Sequence, residues 1–166
     1  CYEAMKVLRH IKILLLLSVA NGTPVIVQNI LGPRWVHPLD GGLMLPDGQP
    51  LLGASKTIRG LLFSLLATTL IGSTIGIGWE IALLLAATAM AGDLASSFVK
   101  RRLRLPPSSM AIGVDQIPES LLPLLVCADT LALTVFDIIA LVACFFAGEI
   151  LLSRLLYRLH LRNRPY

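Results

Sequence analysis

The sequence predicts an all-α, polytopic membrane protein, a single domain over residues 1–166 with about five transmembrane helices and two cytoplasmic connecting loops. Three observations lead there. Hydrophobic residues make up 55% of the 166 positions and charged residues only 14%, against roughly 25% charged in an ordinary globular domain. The mean hydropathy is +0.78; a soluble chain of this length cannot hide so much apolar surface in one core, and a bilayer removes the need. Leu, Ile, Ala and Val supply most of the apolar content, aromatic residues being only 6%. Their continuous runs suit helices, since lipid-facing barrel strands alternate apolar with polar.

Apolar runs near twenty residues mark the candidate spans. The first covers about 7–31 and is interrupted by Asn21, Gly22, Thr23 and Pro24. Such a break occurs where backbone lines a cavity, or as a simple kink. The second, 58–77, is uninterrupted; its Gly72 and Gly76 form a small-xxx-small pair suited to helix packing. The third, 79–103, ends in a charged turn, the fourth covers 117–134, and the fifth covers 136–160. Asp129 and Asp137 fall near outer span ends and are expected to be solvated, while Glu149 lies inside the fifth span, lining a polar cavity or bonding a neighbouring helix. Longer polar connections occupy 32–57 and 104–116, and the turns near 76–79 and 132–136 are short. No internal repeat or low-complexity linker divides the chain.

Five spans put both long connections and the C-terminus on one side. That side holds eleven of the fourteen Lys and Arg, leaving Lys6, Arg9 and Lys12 before the first span. The positive-inside rule makes the connections cytoplasmic, with the basic N-terminal segment as a conflict. The net charge of +4 then reflects topology and attraction to anionic headgroups, and nothing in the pattern points to nucleic acid. Cys127 and Cys144 sit in apolar runs and read as small hydrophobes. Cys1 is not an initiator, so the chain is expected to be trimmed or fragmentary at its start. Residues 1–31 lack the cleavage pattern of a signal peptide.

The remaining polar residues gather in two clusters. Residues 38–60, PLDGGLMLPDGQPLLGASKTIRG, are rich in Gly and Pro, carry Asp40 and Asp47, and end in Lys56 and Arg59. A helix begins near Thr57; its unpaired N–H groups and dipole suit phosphate, and Lys56 and Arg59 add full charges there. The plain alternative is a turn-rich loop with snorkelling basic residues. The order of Gly and Lys does not fit a Walker A loop. Asp40 and Asp47 are counted among the substrate-binding candidates.

The second cluster is residues 92–120. Asp93 follows about a dozen apolar residues, a depth at which an ionisable group is costly and marks a functional site by default. Asp93, Ser96, Ser97 and Lys100 fall at i, i+3, i+4 and i+7, one face of a helix. Such a stripe can also hold helices together by hydrogen bonds. Asp115 and Glu119 follow, and with Asp93 they can offer hard oxygen ligands to magnesium, which takes one or two carboxylates plus phosphates and water. Carboxylates beside clustered Lys and Arg point to phosphoryl or nucleotidyl transfer. The three histidines, His10, His37 and His160, have no evident nucleophile beside them, which argues against triad-type hydrolysis.

These clusters resemble the CDP-archaeol synthase family, a branch of the lipid-phosphate cytidylyltransferases. The resemblance rests on ANGTPV at 20–25, PLDGG at 38–42, DGQPLLGASKTIRG at 47–60, GDLASSFVKRRL at 92–103, VDQIPESL at 114–121 and the closing LHLRNRPY. It implies a five-helix membrane fold of the cell (inner) membrane and a cytoplasm-facing site dependent on Mg2+. The implied partners are CTP and a 2,3-bis-O-geranylgeranylglycerol 1-phosphate type of ether lipid, and the products CDP-archaeol-type lipid and pyrophosphate. It assigns Asp93 and Asp115 to metal and Lys56, Arg59, Lys100 and Arg101 to phosphates; Ser96 and Ser97 line the site, and Glu119 is the candidate substitute for a metal ligand that the wider pattern places next to it. The chain departs from the family pattern at Ile58, where an aromatic is common. Against the diacylglycerol branch, Pro118 stands in an aspartate's place. Phosphatidic acid as substrate is the alternative in the same reaction class, and a membrane scaffold or anionic-lipid binder the alternative outside it. The aspartate pattern of CDP-alcohol phosphotransfer is absent.

Overall fold

The computed structural model describes residues 2–105, 111 and 113–158. Five helices follow in order: α1 (Tyr2–Leu31), α2 (Ile58–Thr74), α3 (Trp79–Arg102), α4 (Gln116–Val126) and α5 (Val135–Arg158). Among the described residues there is no strand, only isolated bridges pairing Pro38 with Thr57 and Met44 with Pro50. α1, α3 and α5 are long and apolar enough to cross a bilayer, and α2 is a shorter apolar helix. Cys1, His160 and the closing stretch 159–166 lie outside the described residues.

The break expected in the first span is not there; α1 runs through Asn21–Pro24 for 30 residues. Proline cannot donate to the carbonyl four residues back, which frees Ala20 O. The Ser64 hydroxyl of α2 donates to that carbonyl at 2.7 Å, so the lost bond is replaced across the helix interface. Thr23 Oγ1 and Asn21 Nδ2 donate to Val19 O and Leu17 O one turn back. The polar quartet is therefore absorbed inside a continuous helix.

The fourth span is also shorter than expected. α4 has 11 residues, about 17 Å at the helical rise, and turns occupy most of 127–132. α2 ends at Thr74, so Gly76, with φ of 79°, is a turn residue and not part of a packing stripe. Gly72 does pack: a Cβ there would stand 2.3 Å from Ala82 Cβ, and such close approach is how membrane helices gain van der Waals contact.

The core is made where α1, α3, α4 and α5 meet, by Ile13, Leu16 and Leu17, Leu85 and Ala89, Leu124, Leu141 and Phe145. Most other large apolar side chains point outward, among them Leu66, Leu70 and Ile139, as a lipid-facing surface allows. α3 is the central element. Its buried stripe is apolar from Ala82 to Met90 and polar from Ser96 to Arg101. One helix thus carries a greasy seam at one end and an ionic one at the other.

Candidate functional site

The 32–57 connection is a tied loop. Asp40 Oδ1 accepts from Gly42 N at 3.0 Å, and Oδ2 accepts from Leu52 N at 2.8 Å and Gly53 N at 3.1 Å. Burial raises the Asp40 pKa, but these amide donors outweigh it and the net shift is downward. Asp47 Oδ1 accepts from Gln49 N, and its other oxygen pairs with Arg102 at 2.8 Å. Arg102 also donates to Pro50 O and lies over the Phe98 ring. Asp40 and Asp47, expected at the substrate, are thus engaged in building the loop and clamping it to α3. Asp side chains that accept from the backbone two residues on are turn formers.

The KTIRG segment divides its work residue by residue. Lys56 Nζ reaches both oxygens of Asp93, at 2.5 and 2.6 Å. Thr57 is the N-cap of α2, its hydroxyl accepting from Gly60 N. Ile58 is exposed, so the departure from an aromatic falls on the outer surface. Arg59 is buried and donates to Arg34 O and Gly32 O. Its guanidinium, expected at a phosphate, is engaged here at the C-terminal end of α1, where a cation suits the dipole. Gly60 faces Pro24, whose Cβ would lie 3.2 Å from an added Cβ.

α3 and α4 supply the rest. A Cβ on Gly92 would stand 2.2 Å from Pro118 O, so only glycine lets the start of α4 come this close. That approach sets Glu119 against the next residue of α3: its carboxyl hydrogen-bonds Asp93, with Lys56 and Glu149 of α5 in electrostatic reach. Lys100 Nζ pairs with Asp115 at 2.7 Å, both largely buried. Asp115 Oδ2 also accepts from Ala111 N. Arg101 is buried with Asp115 as its charge partner, and Gly53 of the loop packs on its side chain. Ser96 donates to Asp93 O, while the buried Ser97 hydroxyl has no partner among the described residues. The buried Gln116 accepts from Gly113 N through Oε1, its Nε2 lacking a partner among the described residues.

The structure brings Lys56, Asp93, Ser96, Ser97, Lys100, Arg101, Asp115 and Glu119 to one end of the bundle. It does not bring Asp93, Asp115 and Glu119 to one point; among the described residues no three His, Cys, Asp or Glu side chains converge on a metal position. The reason is local: Lys56 and Lys100 each take one of the two aspartates. Two carboxyl groups in hydrogen-bond contact need a proton or a cation between them. The Asp93–Glu119 pair, all hard oxygen, therefore fits magnesium, for which two carboxylates suffice when phosphates and water complete the shell. Gly92 and Arg102 contribute without having been expected there, and Glu149, expected to line a polar cavity or bond a neighbouring helix, stands in electrostatic reach of Glu119. Glu149 carried a signal in its intramembrane position, and Gly92 in preceding Asp93 directly.

Elsewhere, Asp137 departs from its expected solvated place. It is 5% exposed, accepts from Thr134 N and Oγ1, and pairs with Lys6 at 2.9 Å. Asp129 is exposed. Cys127 is buried and Cys144 exposed, both free thiols.

Fold and site together define a polytopic integral membrane protein with a buried ionic centre where a loop meets two helices. A family model described as CarS-like, CDP-archaeol synthase, matches residues 73–166. CDP-archaeol synthase of Sulfurisphaera tokodaii is 32% identical over 154 residues, 89% of each chain. That of Thermofilum pendens is 42% identical over 104 residues, 60% of this chain and 51% of the relative, so the match spans about half of that protein's length. A solved structure described as an intramembrane enzyme for archaeal membrane lipids biosynthesis superposes with a TM-score of 0.73 at 32% identity, covering 86% of this chain and 91% of that one. The chain belongs to the CDP-archaeol synthase family.

Proposed function

We propose that this protein transfers the cytidylyl group of CTP to an ether-lipid phosphate of the 2,3-bis-O-geranylgeranylglycerol 1-phosphate type, releasing pyrophosphate, at the cytoplasmic face of the cell membrane. The observation that carries the reading is the Lys56–Asp93–Glu119 contact beside the Lys100–Asp115 pair and Arg101. Membership of the family supports the lipid and nucleotide classes. The excess of Lys and Arg at this end supports the cytoplasmic orientation.

An oxygen of the lipid phosphate attacks the α-phosphorus of CTP. A P–O bond forms there, the bond to the α–β bridging oxygen breaks, and its electron pair leaves with pyrophosphate. The nucleophile is already an anion, so no general base is required. The barrier is repulsion between two polyanions, which Lys56, Lys100 and Arg101 offset by pre-placed charge. Asp93 and Glu119 would hold magnesium, which would supply neutralisation of phosphate charge. Asp115 orients Lys100 and Arg101. The outward apolar faces leave the lipid tails in the bilayer while the head enters between loop and helices.

The test is pyrophosphate release from CTP by the purified protein in mixed micelles, with magnesium or a chelator, offering the ether-lipid phosphate and phosphatidic acid in parallel. Magnesium-dependent turnover with the ether lipid alone is the expected result. Turnover with phosphatidic acid alone overturns the substrate, and no turnover by folded protein with either overturns the reaction.

A further inference from the structure

A cavity of about 400 Å³ lies at the far end of the bundle from the ionic centre, between the first half of α1, the α2–α3 turn and the α4–α5 connection. Asp93 stands fourteen residues along α3 from Trp79 at this end, about 21 Å of helix. The walls combine Arg9 and Lys12 with apolar Leu8, Ile77, Ile81 and Leu131. Of the basic residues here, Lys6 is neutralised by Asp137. Among the described residues, Arg9 and Lys12 have no acidic partner within ion-pair distance, and Arg9 Nε is buried without a hydrogen bond. Glu80 and Asp129 at the same end are exposed and pair with neither. The turn lines the cavity through Gly76, Ile77 and Gly78, Lys12 Nζ standing 3.9 Å from where a Cβ on Gly76 would be. The N-cap of α3 is Gly78, which offers no side-chain cap, so the first-turn amides add positive character.

These cations run against the charge rule that orients the rest of the chain, and inward-facing unpaired cations at a membrane edge call for an anion. We propose that this cavity binds the phosphate of an anionic phospholipid from the leaflet opposite the ionic centre. Arg9 and Lys12 hold the head, and the tails run along the exposed Met5 and Leu8 face of α1. Trp79, 58% exposed beside the turn, places the site at interface depth, where tryptophan collects. A basic pocket between helices with apolar flanks is the chemistry that holds such heads. The proposal does not rest on cytidylyl transfer.

The chain has two tryptophans, so Trp35→Phe leaves Trp79 as a single reporter. In that background, reconstituted in nanodiscs, quenching of Trp79 is titrated with brominated phosphatidylglycerol and brominated phosphatidylcholine. The anionic lipid is expected to quench preferentially. Arg9→Gln with Lys12→Gln should lower that preference by roughly fivefold per cation removed. Thr130→Phe, which fills the cavity without changing charge, should lower it as well. Equal quenching by the two lipids, or a preference that survives Thr130→Phe, overturns the site. Loss of the preference on adding inorganic phosphate reassigns the cavity to free phosphate and overturns the lipid.

Discussion

Two buried carboxylate sites sit at opposite ends of this bundle, and they differ in how completely they are satisfied. Asp137, in the first turn of α5, closes a reciprocal capping box with Thr134: Thr134 Oγ1 accepts from Asp137 N, while Thr134 N, Thr134 Oγ1 and Lys6 are aimed at the Asp137 carboxylate. It needs nothing further. Asp93 shares Lys56 with Glu119, and the two carboxyls touch. That arrangement is one charge short of neutral unless a proton or cation joins it. Burial alone does not distinguish a structural acid from a working one; the number of partners does. A carboxylate closed by Thr134 and Lys6 fastens helices, whereas a carboxyl pair drawn from two helices has the chemistry to share a proton or a cation.

The sharpest way to break that contrast is at Asp93. Asp93→Asn is expected to lower turnover on the order of 10²- to 10³-fold, the scale of losing one pre-placed electrostatic group, while thermal unfolding stays near that of the parent. Pyrophosphate release and a melting curve on one preparation check it; near-normal turnover removes Asp93 from the centre. Gly92→Ala acts on the same pair through the backbone. A Cβ 2.2 Å from Pro118 O forces α3 and α4 apart, an overpacking cost of about 1–3 kcal/mol. Both stability and turnover should fall, and a variant that lost neither would show that the helices close without strain.

Asp137→Asn is the counterpart at the other end. Loss of its side of the capping box lowers stability by about 1 kcal/mol, read as a lower melting temperature, with turnover per folded molecule kept. A turnover defect as large as that of Asp93→Asn would erase the distinction between the ends. Ser64→Ala leaves Ala20 O without its donor; the expected loss is about 0.6 kcal/mol, the average for hydrogen bonds between membrane helices, again without effect on turnover. The smallest effect is at Asp40. Its pKa is held low by amide donors, so its contribution to loop order is complete above the ordinary carboxylate value. That contribution is lost as pH falls through the lowered one. Amide exchange in residues 38–57 should therefore quicken at acid pH in the parent, and be insensitive to that acid step in Asp40→Asn.

Much of this was readable in one dimension. The Asp93–Ser96–Ser97–Lys100 stripe follows from helical spacing, and it does lie along one side of α3 with its serines and lysine buried. In the sequence, Arg59 reads as a phosphate contact because a cation at a helix N-terminus suits phosphate, and Asp40 and Asp47 as substrate-binding candidates because they stand in the same Gly-rich loop. Nothing in their spacing told that carbonyls at the end of α1, backbone amides of the loop and Arg102 would engage them first. Glu149 was visible only as a costly intramembrane acid, because its nearness to Glu119 depends on how α5 packs.

Composition and periodicity determined the membrane setting, the helical class and the basic end of the bundle, since each depends on residue types within a few turns. The tertiary structure decided which acid meets which base, why Pro24 leaves α1 unbroken, and that three candidate metal ligands divide into an Asp93–Glu119 pair and a separate Lys100–Asp115 pair. Those outcomes rest on contacts between segments distant in the chain. Gly92 illustrates the reason: its part lies in the hydrogen it has where any other residue has a carbon, and only the backbone of α4, twenty-six residues on, makes that count.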